Sequence, residues 1–444
     1  MLESGIAAVI LIFLLVAGAP IGFAFATAVL FMIVTLGYDP QFLLPYSFAR
    51  MSTVLLLSIP FFIIAGGLME HGNITKYLIA FVNSIVSRVR GGLGAVTSVT
   101  SGIFGAISGS AGAAICCIGS IMIPRLAEEE GYPRGYATSL ATASAGLALL
   151  IPPSFSMILY GWITYTSVTA CFLAGALPGL FLMFLFIIIN WVMVGRYPTV
   201  KKPRPWGSVK EVSKEVVSTG WRALPALLMP VLILGTIYGG IATPTEAAAV
   251  AVIYAIPVGF LIYRGLTPRT FADSLIESGL TIGAIMIMLF FSMMLGRMWV
   301  MEDIPGLVTR TMLGVTENKY VILLFVNLVL IFIGMFMDDI TGMIIAAPLL
   351  LPVVVQVGIS QVHFSAIITT NLTMGLMTPP MAPQIFVGQR IGKVSFTDMI
   401  KTSLMFVILG YLPTVLITTY WPPIAEWLPK VALGEKVLRP PLRF

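Results

Sequence analysis

Charged residues leave long gaps along this chain, and the gaps set its elements. Residues 4–38, 51–69, 93–123, 135–195, 278–296 and 364–389 each contain no Asp, Glu, Lys or Arg. A helix of about 20 apolar residues crosses a bilayer, so the longest gap holds two spans. The short alternating segments of a transmembrane barrel are not seen in the pattern. The runs are therefore expected to be helices. The first one is too long for a signal-peptide core and has only Glu3 near it, where a leader would be basic. It is expected to be a retained helix.

Two of the runs are interrupted in the same way. Residues 93–123 as one helix would be about 46 Å long at a rise of 1.5 Å per residue. The apolar thickness of a bilayer is about 30 Å. The middle reads Gly105-Ala106-Ile107-Ser108-Gly109-Ser110-Ala111-Gly112, a poor helix interior. A re-entrant hairpin turning there fits better, with a close helix crossing as the alternative. Its counterpart in the second half turns at Met337-Asp338-Asp339-Ile340-Thr341-Gly342.

Each of these segments is followed by a span containing a proline pair, Pro152-Pro153 and Pro379-Pro380. Proline removes a backbone donor and clashes with the preceding turn, so a pair breaks the helix. The spacing repeats: Gly131 to Gly358, Pro152-Pro153 to Pro379-Pro380 and Gly161 to Gly388 are each 227 residues apart. Gly146 and Gly375 match two residues out of step. Broken backbone at membrane depth survives only inside protein or beside water. Its freed carbonyls suit a small hard cation such as sodium.

Composition then removes whole classes. The chain of 444 residues is 58% hydrophobic and 10% charged, against about 25% charged in soluble domains. A soluble enzyme is excluded. Arg196, Lys201, Lys202, Arg204, Lys210, Lys214 and Arg222, opposed only by Glu211 and Glu215, place +5 of the net +6 in one segment. Lying between spans, with no aromatic-interleaved module, it reads as a cytoplasmic linker, and no nucleic-acid partner is expected. Three cysteines and two histidines, His71 and His363, do not form a usual metal-site spacing. Three carboxylates, Glu246, Asp338 and Asp339, stand in apolar surroundings, where function is the default reading. The structural alternatives are a helix cap for Asp338 and a dipole-favoured helix start for Glu246.

With these features the sequence resembles the large membrane subunit of the tripartite ATP-independent periplasmic (TRAP) transporters. The resemblance rests on Ile59-Pro60-Phe61-Phe62-Ile63-Ile64-Ala65-Gly66-Gly67-Leu68-Met69, on Ser108-Gly109-Ser110, and on Ile151-Pro152-Pro153-Ser154. It rests further on Ala242-Thr243-Pro244-Thr245-Glu246-Ala247-Ala248-Ala249 and on Asn371 through Thr378-Pro379-Pro380. These stretches follow the family order along nearly the whole chain.

The fold so implied is an all-α polytopic membrane protein of two inverted repeats, with broken helices and two re-entrant helical hairpins, in an elevator-type transporter architecture. The first half is expected at 1–195, with hairpin 93–123 and broken helix 135–166. A basic cytoplasmic linker follows at 196–222. The second half is expected at 223–428, with its hairpin at about 321–356 and broken helix at 362–392, ahead of a tail at 429–444.

The implied function is sodium-driven import of an organic acid across a bacterial inner membrane. Its implied partners are the lipid bilayer, a periplasmic substrate-binding protein and a small membrane subunit on a separate chain. Carried over by position, the sodium ligands would be Ser108, Ser110, Ala148, Ile151 and Pro152 in one half. In the other they would be Gly334, Asp338, Gly375, Thr378 and Met381. Substrate would meet Ser108, Gly109, Ser110, Ser154, Asp338, Asp339, Thr341, Asn371 and Pro380. Glu246 would be structural or coupling.

The sequence departs from the family pattern at Ala148, where a glycine is expected, and at Asp339-Ile340-Thr341-Gly342. A second carboxylate beside an anion site repels the ligand. Two other classes compete: a sodium–dicarboxylate symporter needing no binding protein, and, more remotely, an intramembrane protease.

Overall fold

Helices fill every uncharged run in the computed structural model, which describes residues 2–201, 208–379 and 381–438. Ten helical segments among the described residues are long and apolar enough to cross a membrane, and none of the described residues forms a strand. Burial sorts the segments. The most apolar window of Arg134–Thr164 is 94% buried, against 28% for Lys210–Tyr238 and Pro268–Met301. The proline-broken segment is thus the centre of the molecule, and the two long helices line its outside.

Each reversal and break has a local cause. Helix Gly92–Ser108 ends at Gly109, whose φ of +61° a residue without Cβ adopts freely. Ser110 then caps the return arm, its hydroxyl accepting the Ala113 amide at 3.4 Å. In the second half, Lys319–Phe336 runs to an extended turn at Met337 and Asp338, and Asp339–Gln356 returns. The proline pairs stop helix Leu147–Leu150 before Phe155–Thr164 begins, and Gln361–Leu376 before Pro383–Gly392.

The two repeats interlock by exchange. The outgoing arm of each hairpin packs on the first half of its own broken helix. The return arm of the first hairpin packs on Pro383–Gly392, the far half of the second broken helix. The return arm of the second packs on Phe155–Thr164, the far half of the first. Beside them, Ser58–His71 packs on Pro244–Pro257 and Pro268–Met301, and Ile74–Val86 on Val209–Tyr238, forming a scaffold. Ile74–Val86 also leads into the first hairpin, burying Ile74, Leu78, Ile79 and Val82 on one face.

Two close crossings hold hairpin and broken helix together. A Cβ on Gly105 would stand 2.4 Å from the Ala148 Cα, and one on Gly375 would stand 2.6 Å from the Gly334 Cα. Ala148 and Gly375 are therefore counterparts, in the same 227-residue register as the proline pairs. The out-of-step match of Gly146 to Gly375 is corrected accordingly: Gly146 packs on Tyr411 and Thr373 instead. An alanine is accommodated at position 148 because Gly105 opposite it leaves the room.

The basic segment is shorter as a linker than 196–222. Helix Val209–Tyr238 takes over its last part, started by a capping box in which Ser208 and Glu211 bond reciprocally. Arg88 pairs with Glu215 and ties that helix to the loop before the first hairpin. Lys202, Pro203, Arg204 and Pro205 lie outside the described residues. In the tail, Pro423–Leu433 is helical, and residues 439–444 lie outside the described residues.

Gly375→Ala is expected to lower thermal stability of the detergent-solubilised protein, since the new methyl meets backbone; overpacking of this kind costs about 1–3 kcal/mol. Gly235→Ala, with nothing within 4 Å of its Cβ position, should leave stability unchanged or raise it. Equal melting temperatures for the two variants would refute the close crossing.

Candidate functional site

The first hairpin tip covers the break in the helix that follows it. At the first tip the Gly109 carbonyl accepts the Phe155 amide at 3.3 Å. A Cβ on Gly109 would lie 2.9 Å from the Pro153 carbonyl oxygen, so tip and break touch. The prolines leave acceptors open here. The Ala148 carbonyl would take the amide of residue 152 in an unbroken helix, and Pro152 has none.

Ser108 and Ser154 are buried at this junction, and neither hydroxyl has a hydrogen-bond partner among the described residues. Buried polar groups are otherwise almost always paired. An oxygen-ligated cation fits such a donor set: two free hydroxyls and the carbonyls of a broken turn.

The second tip is built with a carboxylate. Asp338 stands at the N-cap of the return helix and receives the Thr341 hydroxyl. At the break, the Gly375 carbonyl accepts the Thr378 amide at 2.8 Å. The Thr378 hydroxyl donates to the Met374 carbonyl at 2.7 Å, which leaves its oxygen lone pairs free. Gly334 lies against Leu372 and Gly375. Ala382, just past Met381, is held at φ +41°, a region that residues with a Cβ rarely enter. Pro380 lies outside the described residues.

The two tips open onto one cavity of about 590 Å³. Ser108, Ser110, Asp338 and Asp339 line it from the hairpins, Pro383 and Gln384 from the second broken helix, and Gly66, Glu70, Ser274 and Glu277 from the scaffold. Asp339 also receives the Ser156 hydroxyl, tying the second hairpin to the first broken helix. Among the expected substrate residues, Gly109, Ser154 and Thr341 sit one layer behind this lining, Thr341 acting through Asp338.

Asn371 is not among the residues lining this cavity. Its side-chain amide donates to Asn327 at 2.9 Å and to the Ile367 carbonyl at 2.8 Å. It lies between the second hairpin and its broken helix, and its side-chain oxygen has no hydrogen-bond partner among the described residues. Glu246 is exposed at the start of Pro244–Pro257, where its carboxylate accepts the Thr243 amide at 2.8 Å and the Thr243 hydroxyl at 2.9 Å. That is the structural half of its expected role.

Sequence reasoning missed Glu70, Glu277, Ser274, Gln384 and Ser156. Both glutamates border uncharged runs, at residues 51–69 and 278–296. The same position marks where the scaffold helices reach the cavity.

A family model described as the Tripartite ATP-independent periplasmic transporter, DctM component, matches residues 8–424. The C4-dicarboxylate TRAP transporter large permease protein DctM of Vibrio cholerae is 34% identical over 405 residues, covering 86% of this chain and 87% of that one. The isethionate TRAP transporter permease protein DctMQ of Oleidesulfovibrio alaskensis is 34% identical over 413 residues. That match covers 92% of this chain, which spans only 64% of the relative's length. Among solved structures, the YdaH transporter of Alcanivorax borkumensis shares the fold, with a TM-score of 0.65 over 90% of each chain at 14% identity. The chain belongs to the DctM family of TRAP transporter components, and it is a multi-pass inner-membrane protein.

Glu246→Gln should keep both the cap and transport activity, since a glutamine oxygen accepts the same bonds. Glu246→Ala should lower the melting temperature, since the Thr243 amide and hydroxyl lose their acceptor. Loss of transport in a stable Glu246→Gln protein would show that the carboxylate charge itself is used.

Proposed function

We propose that this chain is the transport pathway of a sodium-driven importer of organic acids, supplied by a periplasmic substrate-binding protein and working with a small membrane subunit. The single observation that carries this reading is the duplicated junction of hairpin tip and proline break, with both junctions facing one cavity. The relatives are named for transport of isethionate and C4-dicarboxylate, both small organic anions.

In this reading sodium is cargo. The first ion would be held by the unpartnered hydroxyls of Ser108 and Ser154, with Ser110 and the carbonyls at Ala148, Ile151 and Pro152. The second would be held by Asp338 and Thr378, with carbonyls at Gly334, Gly375 and Met381. Substrate would occupy the cavity between the tips. The hairpins and broken helices, locked by mutual exchange, would move as one body against the scaffold helices that form the cavity's other wall. That motion is an elevator.

Among the described residues, no geometry supports the enzyme reading. Asp338 and Asp339 are engaged by different partners, Thr341 and Ser156, rather than sharing a proton across one site. Each described histidine is engaged away from Ser108: His363 with the Thr418 carbonyl at 2.7 Å, and His71 with the Gly67 carbonyl at 3.1 Å. A symporter working without a binding protein differs in one observable, the need for a soluble donor.

Uptake into vesicles carrying the permease should require both a sodium gradient and the added periplasmic protein. Ser108→Ala and Thr378→Val should each raise the sodium concentration for half-maximal uptake about five-fold, the equivalent of about 1 kcal/mol for one lost hydroxyl ligand. Their expression should be unchanged. Unaltered sodium activation in both variants would remove the proposed sites, and uptake without the periplasmic protein would favour the simpler symporter.

A further inference from the structure

The cavity carries charge of one sign. Glu70, Glu277, Asp338 and Asp339 line it, and no Lys or Arg is among its described lining residues. His71, whose ring lies 3.7 Å from Glu277, is not part of the lining. Acidic residues alone would mark only a place for cations. A second feature points to a hydrogen-bonding ligand: Ser108, 2% exposed, and Ser274, 1% exposed, border the same cavity from opposite walls, and both hydroxyls lack partners.

We infer that this cavity selects an organic acid with a single anionic end, whose other end carries hydrogen-bond donors, and that Asp339 is the residue that rejects a second carboxylate. The inference rests on the proposed transport reading and narrows it. An ionised carboxylate accepts hydrogen bonds and offers none. One anionic end of a ligand can be met at the first hairpin tip by bound sodium and the Ser108 hydroxyl. The far end then faces acceptors of negative charge, and a like charge placed against them is penalised strongly. An ammonium or hydroxyl group satisfies them.

Asp339 is singled out by position. Asp338 is engaged by Thr341 and sits in the proposed second sodium site. Glu70 and Glu277 stand on the scaffold wall. Asp339 belongs to the hairpin tip, outside both proposed sodium sites, and its link to Ser156 fixes its carboxylate between the two repeats.

Cys116 supplies the test. It lines the cavity and is exposed, while Cys117 and Cys171 are buried. The purified permease with its small subunit is treated with N-ethylmaleimide in sodium, and the rate of Cys116 modification is read by mass spectrometry. Succinate, 4-hydroxybutyrate and 4-aminobutyrate serve as probes, since they share a four-carbon skeleton and differ at one end.

Protection by 4-hydroxybutyrate or 4-aminobutyrate at about one-tenth of the concentration succinate requires is expected, and the better of the two identifies the far group as hydroxyl or ammonium. Asp339→Asn should bring succinate to within about two-fold of the better probe. Succinate protecting the unaltered protein as well as the others overturns the inference, and so does an absence of protection by all three. If sodium has no effect on the rates, the sodium part of the function fails instead, and the order of the three probes still decides the selectivity.

Discussion

A polar backbone cannot be left open in hydrocarbon, and that constraint organises this protein. The proline pairs at 152–153 and 379–380 open the backbone in the two most central segments. The first opening persists because a hairpin tip is pressed onto it through the Gly109 carbonyl and Phe155 amide, and in the other half the outgoing hairpin arm crosses the broken helix just ahead of its break at Gly334 and Gly375. The first tip is thus a lid on a deliberate break. What the tips leave unpaired, chiefly the Ser108 and Ser154 hydroxyls, is where an ion can enter the account.

Much of this was legible because the constraint acts on composition. A proline pair inside an apolar run has few uses, and its recurrence 227 residues later identifies a repeat. A Gly- and Ser-rich centre in a run too long for one span signals a reversal, and the observed turn falls at Gly109 and Ser110. Glycine identity was less informative than glycine contact. Gly146 looked like the partner of Gly375, yet the position that touches the facing hairpin is Ala148. A crossing needs space between two residues, and either one can yield it.

The cavity was harder to read, for a related reason. Its scaffold wall contributes Glu70 and Glu277 from helix segments adjoining uncharged runs, where a charged residue is ordinarily a boundary with water. Only the packing of Ser58–His71 against Pro268–Met301 turns both toward the hairpin tips. Asn371 shows the converse. Its place among residues matching the family suggested substrate contact, while its amide is used to bind Asn327 inside the repeat. Polar residues in a membrane helix must be paired with something, and sequence spacing does not say whether the partner is a ligand or a neighbour.

On the proposed function, the charge of the cavity also bears on coupling. Two unit charges about 6 Å apart at an effective dielectric of about 20 interact by about 3 kcal/mol. An anionic substrate entering a space lined by four carboxylates meets repulsion of that order from each nearby one. A sodium ion at the second tip offsets the charge of Asp338, and one at the first adds positive charge beside Ser108. Binding of ions and of substrate then favour each other, and by linkage each must raise the affinity for the other by the same factor. Tight coupling needs no separate gate in this scheme. The same acids that make the site unattractive to an anion alone make it attractive to an anion accompanied by cations.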